Sequence, residues 1–496
     1  MAKILLVSFN ARYEHTSLGL RCLMANMGEL SPECALKEFT LDSSPETALE
    51  DALSFNPQII GLGVYIWNVE LCLKFARELK ALRPEIALLC GGPEISHIKY
   101  AGKKSYSAQL AEISDYVICG EGENAFRELC RAVLYGNKPE NKFIYSEPVN
   151  LAEIKTPYHL YSDEDIQNRL VYIEASRGCP FGCEFCLSSL DKKVRYFPLE
   201  NLFENLEYLL GRGLLTFKFT DRSFNLDEAS AKKILGFFLE NYRPGLFLHF
   251  EIVPDKMPEG LLPILAKFPS GTVQLEAGIQ TFNPEVAARI SRRQDNDLLE
   301  RNIRRILSET GCYVHADLVA GLPGETLESF AAGFDRLYRL GTHEIQVGIL
   351  KLLAGAPIAR HTAEYGMKYS PLPPYEIREN TAISFEDMRR LRRFSRYWDI
   401  IANSGTFRRA ARSICGGQDN SESPFWRFMR LSDALYAATH QTHSISRARL
   451  RNFIYDWLVN EVKMPEADAK RIMEQDAVDA RRTEKHRTRQ ARHEKN

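Results

Sequence analysis

The stretch Cys179-Pro180-Phe181-Gly182-Cys183-Glu184-Phe185-Cys186 decides how this chain is read. Its cysteines stand at C-x3-C-x2-C spacing, after the apolar run 170–173 and the segment 174–178. The run reads as a strand, so the cysteines lie in the loop leaving its carboxyl end. Pro180 and Gly182 argue against a regular helix, because Pro lacks the N–H and Gly is entropically unfavourable there. A loop lets three thiolates converge on one small object. Iron–sulfur clusters are held by cysteine thiolates, usually about four of them. Three leave one iron of a [4Fe–4S] cluster without a protein ligand, open to a chelator. The competing readings are a structural zinc site and three unrelated buried thiols. Zinc usually takes four ligands in paired clusters, and no second C-x2-C exists in the chain.

The spacing, with the aromatic Phe185 just before the third cysteine, resembles the radical SAM superfamily. The resemblance implies that S-adenosylmethionine chelates the fourth iron, accepts an electron and is cleaved to a 5′-deoxyadenosyl radical. Cys179, Cys183 and Cys186 are then the cluster ligands, and Phe185 a cofactor neighbour.

The chain has 496 residues, enough for about three domains by length. With 45% hydrophobic and 26% charged residues it has an ordinary globular composition. A net charge of −1 gives no global pull toward nucleic acid or an anionic membrane. No apolar run reaches the length of a membrane span. The N-terminus shows no signal-type cleavage region. The other eight of eleven cysteines are scattered in mostly apolar contexts and read as buried thiols. That usage, and an oxygen-sensitive cluster, both place the expected protein in a reducing cytoplasm.

Upstream of the cysteine loop, strand and helix signals alternate. Apolar strands are predicted at 3–9, 35–39, 59–65, 86–90 and 116–119, with helices at 18–27, 45–55, 69–82 and 123–134. Short continuous apolar strands between helices indicate a flavodoxin-like, doubly wound parallel sheet. Ligands of such sheets bind beyond the carboxyl ends of the strands. Gly91-Gly92-Pro93-Glu94 and Asp115-Tyr116-Val117-Ile118-Cys119-Gly120-Glu121-Gly122-Glu123 stand there. Both resemble the cobalamin-binding domain of the cobalamin-dependent radical SAM class, which implies Gly91, Gly92, Pro93 and Glu94 as cofactor contacts. Glycines let a loop approach a flat macrocycle. The Asp-x-His pair that supplies a lower cobalt ligand in many cobalamin proteins is missing. His15 and His97 lie near without that context, so the expectation is cobalamin held without a histidine ligand.

Downstream, strands are predicted at 215–219, 246–250, 272–276, 313–319 and 344–352, with helices between them. Counting from 170–173, these are six β/α units of a partial barrel, whose catalysis occurs at the carboxyl ends of strands. Gly278-Ile279-Gln280 and the run His315 to Gly324 resemble motifs of oxygen-independent coproporphyrinogen oxidases and cobalamin radical SAM enzymes. Carried over by that resemblance, Glu251, Gln280 and Asp317 contact S-adenosylmethionine, and Asp221 and Arg222 meet its amino acid end. The loop Gly321-Leu322-Pro323-Gly324-Glu325 lacks the Gly-Lys-Ser/Thr ending of a phosphate loop.

Beyond a proline-rich boundary at 370–375 only helical signals remain, at 385–403, 424–439, 444–462 and 466–473. Ser384 with Asp387 forms an N-cap box. Aromatic residues at helical spacing read as a domain core. The arrangement resembles an uncharacterised helical extension of one cobalamin radical SAM subgroup. Residues 481–496 hold seven Lys/Arg against two Glu and read as a solvated, disordered tail.

The expected domains are a cobalamin-binding-like sheet (1–138), a connection (139–168), a radical SAM barrel (169–368), an all-α domain (369–480) and a basic tail (481–496). The expected activity is radical chemistry on an unactivated carbon of a small-molecule or peptide substrate, with methyl transfer from cobalamin. It requires a reductant such as flavodoxin or ferredoxin, and neither membrane nor nucleic acid. A cobalamin-free radical enzyme and a non-catalytic iron–sulfur scaffold or sensor are the alternatives.

Overall fold

The computed structural model describes residues 3–97, 105–416 and 422–493, with side chains to residue 480. The chain forms two compact units. The first comprises residues 1–221, 352–359 and 370–375; the second comprises 222–351, 360–369 and 376–496.

In the first unit, strands β1 (Ile4–Asn10), β2 (Cys34–Thr40), β3 (Ile59–Gly63), β4 (Ala87–Gly91), β5 (Tyr116–Cys119) and β6 (Phe143–Tyr145) form one sheet. Their order is β2-β1-β3-β4-β5-β6, and every neighbouring pair is parallel. All seven residues of β1 are buried, as a strand covered on both faces requires. One face packs a core around Phe9, Phe75 and Leu79, the other a core around Leu6, Met27 and Phe126. This is the expected doubly wound sheet, and its order reverses between β1 and β3, where such sheets bind ligands. A helix at Tyr106–Ile113, capped by Ser105, and the edge strand β6 were not anticipated.

The stretch after β6 is built into the unit. Val149, Leu151 and Ile154 pack with Phe197. Ser162 and Asp165 make reciprocal capping bonds at the helix Asp163–Asn168. Asp165 and Glu38 also take Arg21 and Arg169 at 2.6–3.0 Å, with all four side chains at most 10% exposed. Burial opposes the charge of Glu38, but the two arginines outweigh it and hold the carboxyl below its usual range.

The first unit also carries β7 (Val171–Ile173), the short antiparallel pair β8 (Ser176–Arg177) and β9 (Arg195–Tyr196), and β10 (Thr216–Phe219), which pairs parallel with β7. The second unit carries β11 (Phe247–Ile252), β12 (Val273–Gln280), β13 (Tyr313–Ala320) and β14 (Glu344–Ile349), successive parallel neighbours. With β7 and β10 they supply the six predicted barrel strands. Along β12, Val273, Leu275, Ala277 and Ile279 are buried, while Gln274, Glu276, Gly278 and Gln280 face the other way. That period of two puts one apolar face under the helices and leaves one polar face.

Helices follow β14: Phe385–Trp398, Arg408–Ile414, Pro424–Thr439, Arg447–Asn460 and Glu466–His493. Ser384 accepts the Asp387 N–H, which makes one half of the anticipated box; Asp387 takes the Ser384 hydroxyl rather than its N–H. The rings of Phe394, Trp398, Phe425 and Phe428 pack at centroid distances of 4.7–6.0 Å, forming the expected core. A π-helical turn, Asp399–Asn403, continues the first of these helices. Through it Asn403 donates to the Ile345 carbonyl (3.0 Å) and accepts the Ile345 N–H (3.2 Å). Ser395 donates to the Val347 carbonyl at 2.6 Å. The last helix runs past the predicted 466–473 to His493, so the backbone of 481–493 is helical where a disordered tail is expected; side chains beyond 480 and residues 494–496 lie outside the described residues. Among the described residues no helix is long and apolar enough to cross a membrane.

Candidate functional site

The cysteine loop is held at both ends. β8 enters it and β9 leaves it, and their pairing clamps residues 178–194 into a closed loop. Gly178 makes the first turn at φ +93°, and a Cβ there would meet the Lys193 carbonyl at 2.6 Å, so only glycine fits. The Cys179 N–H donates to the Asp191 carbonyl, and the Cys186 N–H to the Cys183 carbonyl. The buried Asp221 accepts the Ala175 N–H and the Ser176 hydroxyl, bracing the strand that feeds the loop. Burial pushes its carboxyl up to about 7.

Cys179, Cys183 and Cys186 are partly exposed, whereas the other eight cysteines are buried. Burial pushes the thiols of Cys34 and Cys90 up to about 12, which leaves them inert. Among the described residues, no three His, Cys, Asp or Glu side chains close on one point as ligands of a single ion do. Three thiols on one loop suit a cluster, whose irons spread their thiolates over a wider triangle.

A cavity of about 720 Å³ opens at the carboxyl end of the first sheet, at the β1/β3 switch point. Its inner wall is apolar, from Leu6, Leu20, Leu23, Leu89, Ile118 and Phe126. Its rim is made of backbone: Gly63, Gly91, Gly92, Gly120 and Gly122 all line it. Gly92 sits at φ +113°, where a Cβ would stand 2.5 Å from the Val64 carbonyl. Trp67, 48% exposed, lines the opening and stacks on Tyr65 at 4.5 Å. A large, largely apolar ligand with a flat polar-edged face fits this shape and chemistry. Gly91, Gly92 and Pro93 line the cavity. Glu94 is not among its lining residues; it is buried and accepts the Ser107 hydroxyl at 2.7 Å. His15 also lines the cavity, with Nδ1 2.6 Å from the Tyr172 hydroxyl, and burial lowers its pKa.

One residue of β8 links the cavity to the cysteine loop. Arg177, two positions before Cys179, lines the cavity with Glu121, Glu123 and Glu174. Its guanidinium lies 2.7 Å from Glu123, 3.0 Å from Glu174 and 3.6 Å from Glu121. Glu121 also binds Arg195 of β9 at 2.6 Å. Burial disfavours the guanidinium's charge, yet these carboxylates raise its pKa further above its ordinary value. None of this network was anticipated, although Glu121 and Glu123 lie in the quoted glycine-rich motif.

The second unit holds Arg222, Glu251, Gln280 and Asp317. Arg222 pairs with Glu251 at 2.8 Å. Gln280 adopts φ +69°, a strained conformation for a non-glycine residue, just where the β12–β13 register shifts. Asp317 joins a chain across the polar face that sequence reading missed. His249 meets Glu276 at 2.8 Å, Glu276 stands beside Asp317, and His315 bridges Asp317 (3.1 Å) and Glu344 (2.9 Å). Burial opposes the charge on His315, but its two carboxylate partners push it up to about 10. Burial, with Glu276 beside it, raises Asp317. The signal available was the alternation of polar residues along β12 and β13.

Residues 4–130 match the family model of the B12 binding domain, 173–337 that of the radical SAM superfamily, and 363–496 that described as protein of unknown function (DUF4080). The chain is 24% identical over 373 residues to the cobalamin-dependent radical SAM methyltransferase TokK of Streptomyces tokunonensis, covering 66% of this chain and 52% of that protein. It thus spans about half the length of that relative. The fold is similar to apo OxsB, a cobalamin-dependent S-adenosylmethionine radical enzyme, with TM-score 0.62 and 13% identity over 95% of this chain and 80% of that one. It is also similar to TsrM from Kitasatospora setae with cobalamin and a [4Fe–4S] cluster bound, with TM-score 0.57 and 18% identity over 73% of this chain and 75% of that one.

Proposed function

We propose that this chain, a radical SAM protein with a B12-binding domain ahead of its barrel, is an enzyme that transfers a methyl group to an unactivated carbon of a small molecule. Cys179, Cys183 and Cys186 hold a [4Fe–4S] cluster, and the cavity at the first sheet holds cobalamin. Once bound, the cluster supplies the electron that cleaves S-adenosylmethionine, and cobalamin supplies the methyl carrier. Glu251, Gln280 and Asp317 bind the ammonium and hydroxyl groups of S-adenosylmethionine, which call for carboxylates and amides, and Arg222 meets its carboxylate. Asp221 keeps the loop entry fixed. The apolar inner wall excludes water from the corrinoid, and the glycine rim admits its edge. A one-electron reductant and a reducing cytoplasm complete the requirements.

The observation that carries this reading is the sharing of Arg177 between cavity and cysteine loop: one partly buried ion network rims the apolar cavity two residues from the first thiol. The similarity to a cobalamin-dependent methyltransferase supports methyl transfer as the outcome.

The test uses protein purified and reconstituted without oxygen, with cobalamin supplied during expression. About four irons and about one cobalt per chain, with 5′-deoxyadenosine formed on reduction, are expected. Iron and deoxyadenosine without cobalt would replace the methyltransferase by a cobalamin-free radical enzyme. A cluster without deoxyadenosine would favour a scaffold or sensor.

A further inference from the structure

A second cavity, of about 920 Å³, lies wholly within the second unit. One wall is the end of the barrel: Glu344, Gln346 and Gly348 of β14 with His315 of β13. The facing wall is the helix Phe385–Trp398. Along that helix Phe385, Arg389, Arg392 and Arg396 follow at steps of four, three and four residues, which places them on one face. All four line the cavity, as do Arg393, Lys351 and Arg378.

The lining therefore holds six Lys/Arg against three carboxylates, Glu344, Glu376 and Asp399. Glu376 takes Arg392 at 3.1 Å, Asp399 takes Arg396 at 3.1 Å, and Glu344 is engaged by His315. Like charges at these spacings repel one another on a helix. Water relieves part of that repulsion, the Arg392 side chain being 52% and the Arg396 side chain 40% exposed, and the face borders the cavity whose other wall is β14. Elsewhere the protein balances its enclosed cations, since Arg177 meets three carboxylates. Arg393 is also met from outside the lining by Asp433 at 3.6 Å, and the balance is still left positive beside hydrogen-bonding groups on Gln346, Asn403 and Thr442.

We propose that this cavity binds a phosphoryl group carried by the small-molecule substrate. Guanidinium forks match the geometry of phosphate oxygens, and several of them suit a group with a near-dianionic charge. A lone carboxylate is satisfied by one fork. The volume suits a small molecule. The assignment rests on the reading of the chain as a radical enzyme for the chemistry that follows binding, but binding itself is measured without turnover.

The test uses full-length protein after reconstitution, with iron and cobalt content measured on each preparation. Arginines are modified with phenylglyoxal, with or without sodium pyrophosphate, and the adducts are mapped by peptide mass spectrometry. Sodium acetate at equal ionic strength and a short single-stranded RNA are run in parallel. Pyrophosphate is expected to slow modification of Arg389 and Arg392 while leaving Arg305 unchanged; Arg305 is ion-paired to Glu259 and Glu309 elsewhere in the unit. By calorimetry, R389Q/R392Q is expected to bind pyrophosphate about tenfold more weakly or worse, each lost fork removing a charge-assisted contact. Equal protection by acetate would overturn the phosphoryl assignment in favour of a general anion site. Protection by RNA alone would overturn it in favour of a nucleic acid. No selective protection in the wild type would end it, whatever the variant does. Poor iron or cobalt loading with intact pyrophosphate binding would count against the radical reading and for this one.

Discussion

The two cavities solve opposite problems with the same side chains. In the first unit arginine is an internal fastener: Arg177 is surrounded by carboxylates, and the cavity beside it presents leucine, phenylalanine and bare backbone. In the second unit arginine is presented to the cavity, in excess over the acids that share the wall. A neutralised, apolar cavity suits a cofactor that enters once and stays. A charged one suits a ligand that must be recognised, bound and released. The placement of charge therefore separates cofactor from substrate more clearly than cavity size does.

Four measurements test that contrast. The largest effect belongs to the thiols. Cys183→Ala is expected to abolish the visible iron–sulfur absorption and deoxyadenosine formation. Cobalt uptake should persist, because Cys183 does not line the cofactor cavity; loss of cobalt as well would mean that the two sites form one folding element.

Arg177→Gln should come next. It leaves Glu121, Glu123 and Glu174 without their shared cation, and for a network whose side chains are 5–21% exposed the cost should fall below the about 3–5 kcal/mol of a fully buried pair. Denaturant unfolding under anaerobic conditions would read this. A loss no larger than that of a surface ion pair would undo the description of Arg177 as a fastener.

His315 gives a pH signature. Its folded-state value, near 10, lies above the unfolded value of about 6.5. The stabilisation is thus fully present below about pH 6.5 and fades as pH rises through about 10. Wild type should lose roughly 2–4 kcal/mol more than His315→Gln across that window. Parallel stability curves for the two proteins would show that the imidazolium is not held between Asp317 and Glu344.

The smallest effect is expected from Leu23→Trp, which places a larger ring into the apolar wall of the first cavity. Overpacking of about 1–3 kcal/mol should lower cobalt occupancy about tenfold with iron retained. Unchanged cobalt would move the corrinoid elsewhere.

Much of this molecule was legible in its sequence because its strands are continuous and apolar. Residues 59–65 and 116–119 were recognisable as buried strands from composition alone, and β3 and β5 lie there. The cysteine loop was legible because spacing is a local property. Three-residue β6 sits in a polar stretch and gains strand character only from its neighbour β5. The two-residue strands β8 and β9 are below any periodicity. The chain from His249 to Glu344 spans four strands, so each member looked like an isolated loop or strand residue until the register aligned them. Arg389, Arg392 and Arg396 read as the wet face of an amphipathic helix, because nothing in a linear pattern says what stands opposite.

The hydrogen bonds from Ser395 and Asn403 to β14 have a consequence for modularity. An incomplete barrel ends in a strand with unused backbone groups, a template for pairing with another chain. Here two side chains of the C-terminal region occupy those groups at Ile345 and Val347, and the π-helical turn brings one of them into reach. The region matching DUF4080 is therefore no detachable accessory. A chain cut before it would expose a sticky margin, and any history in which the barrel lost this extension had to find another plug first.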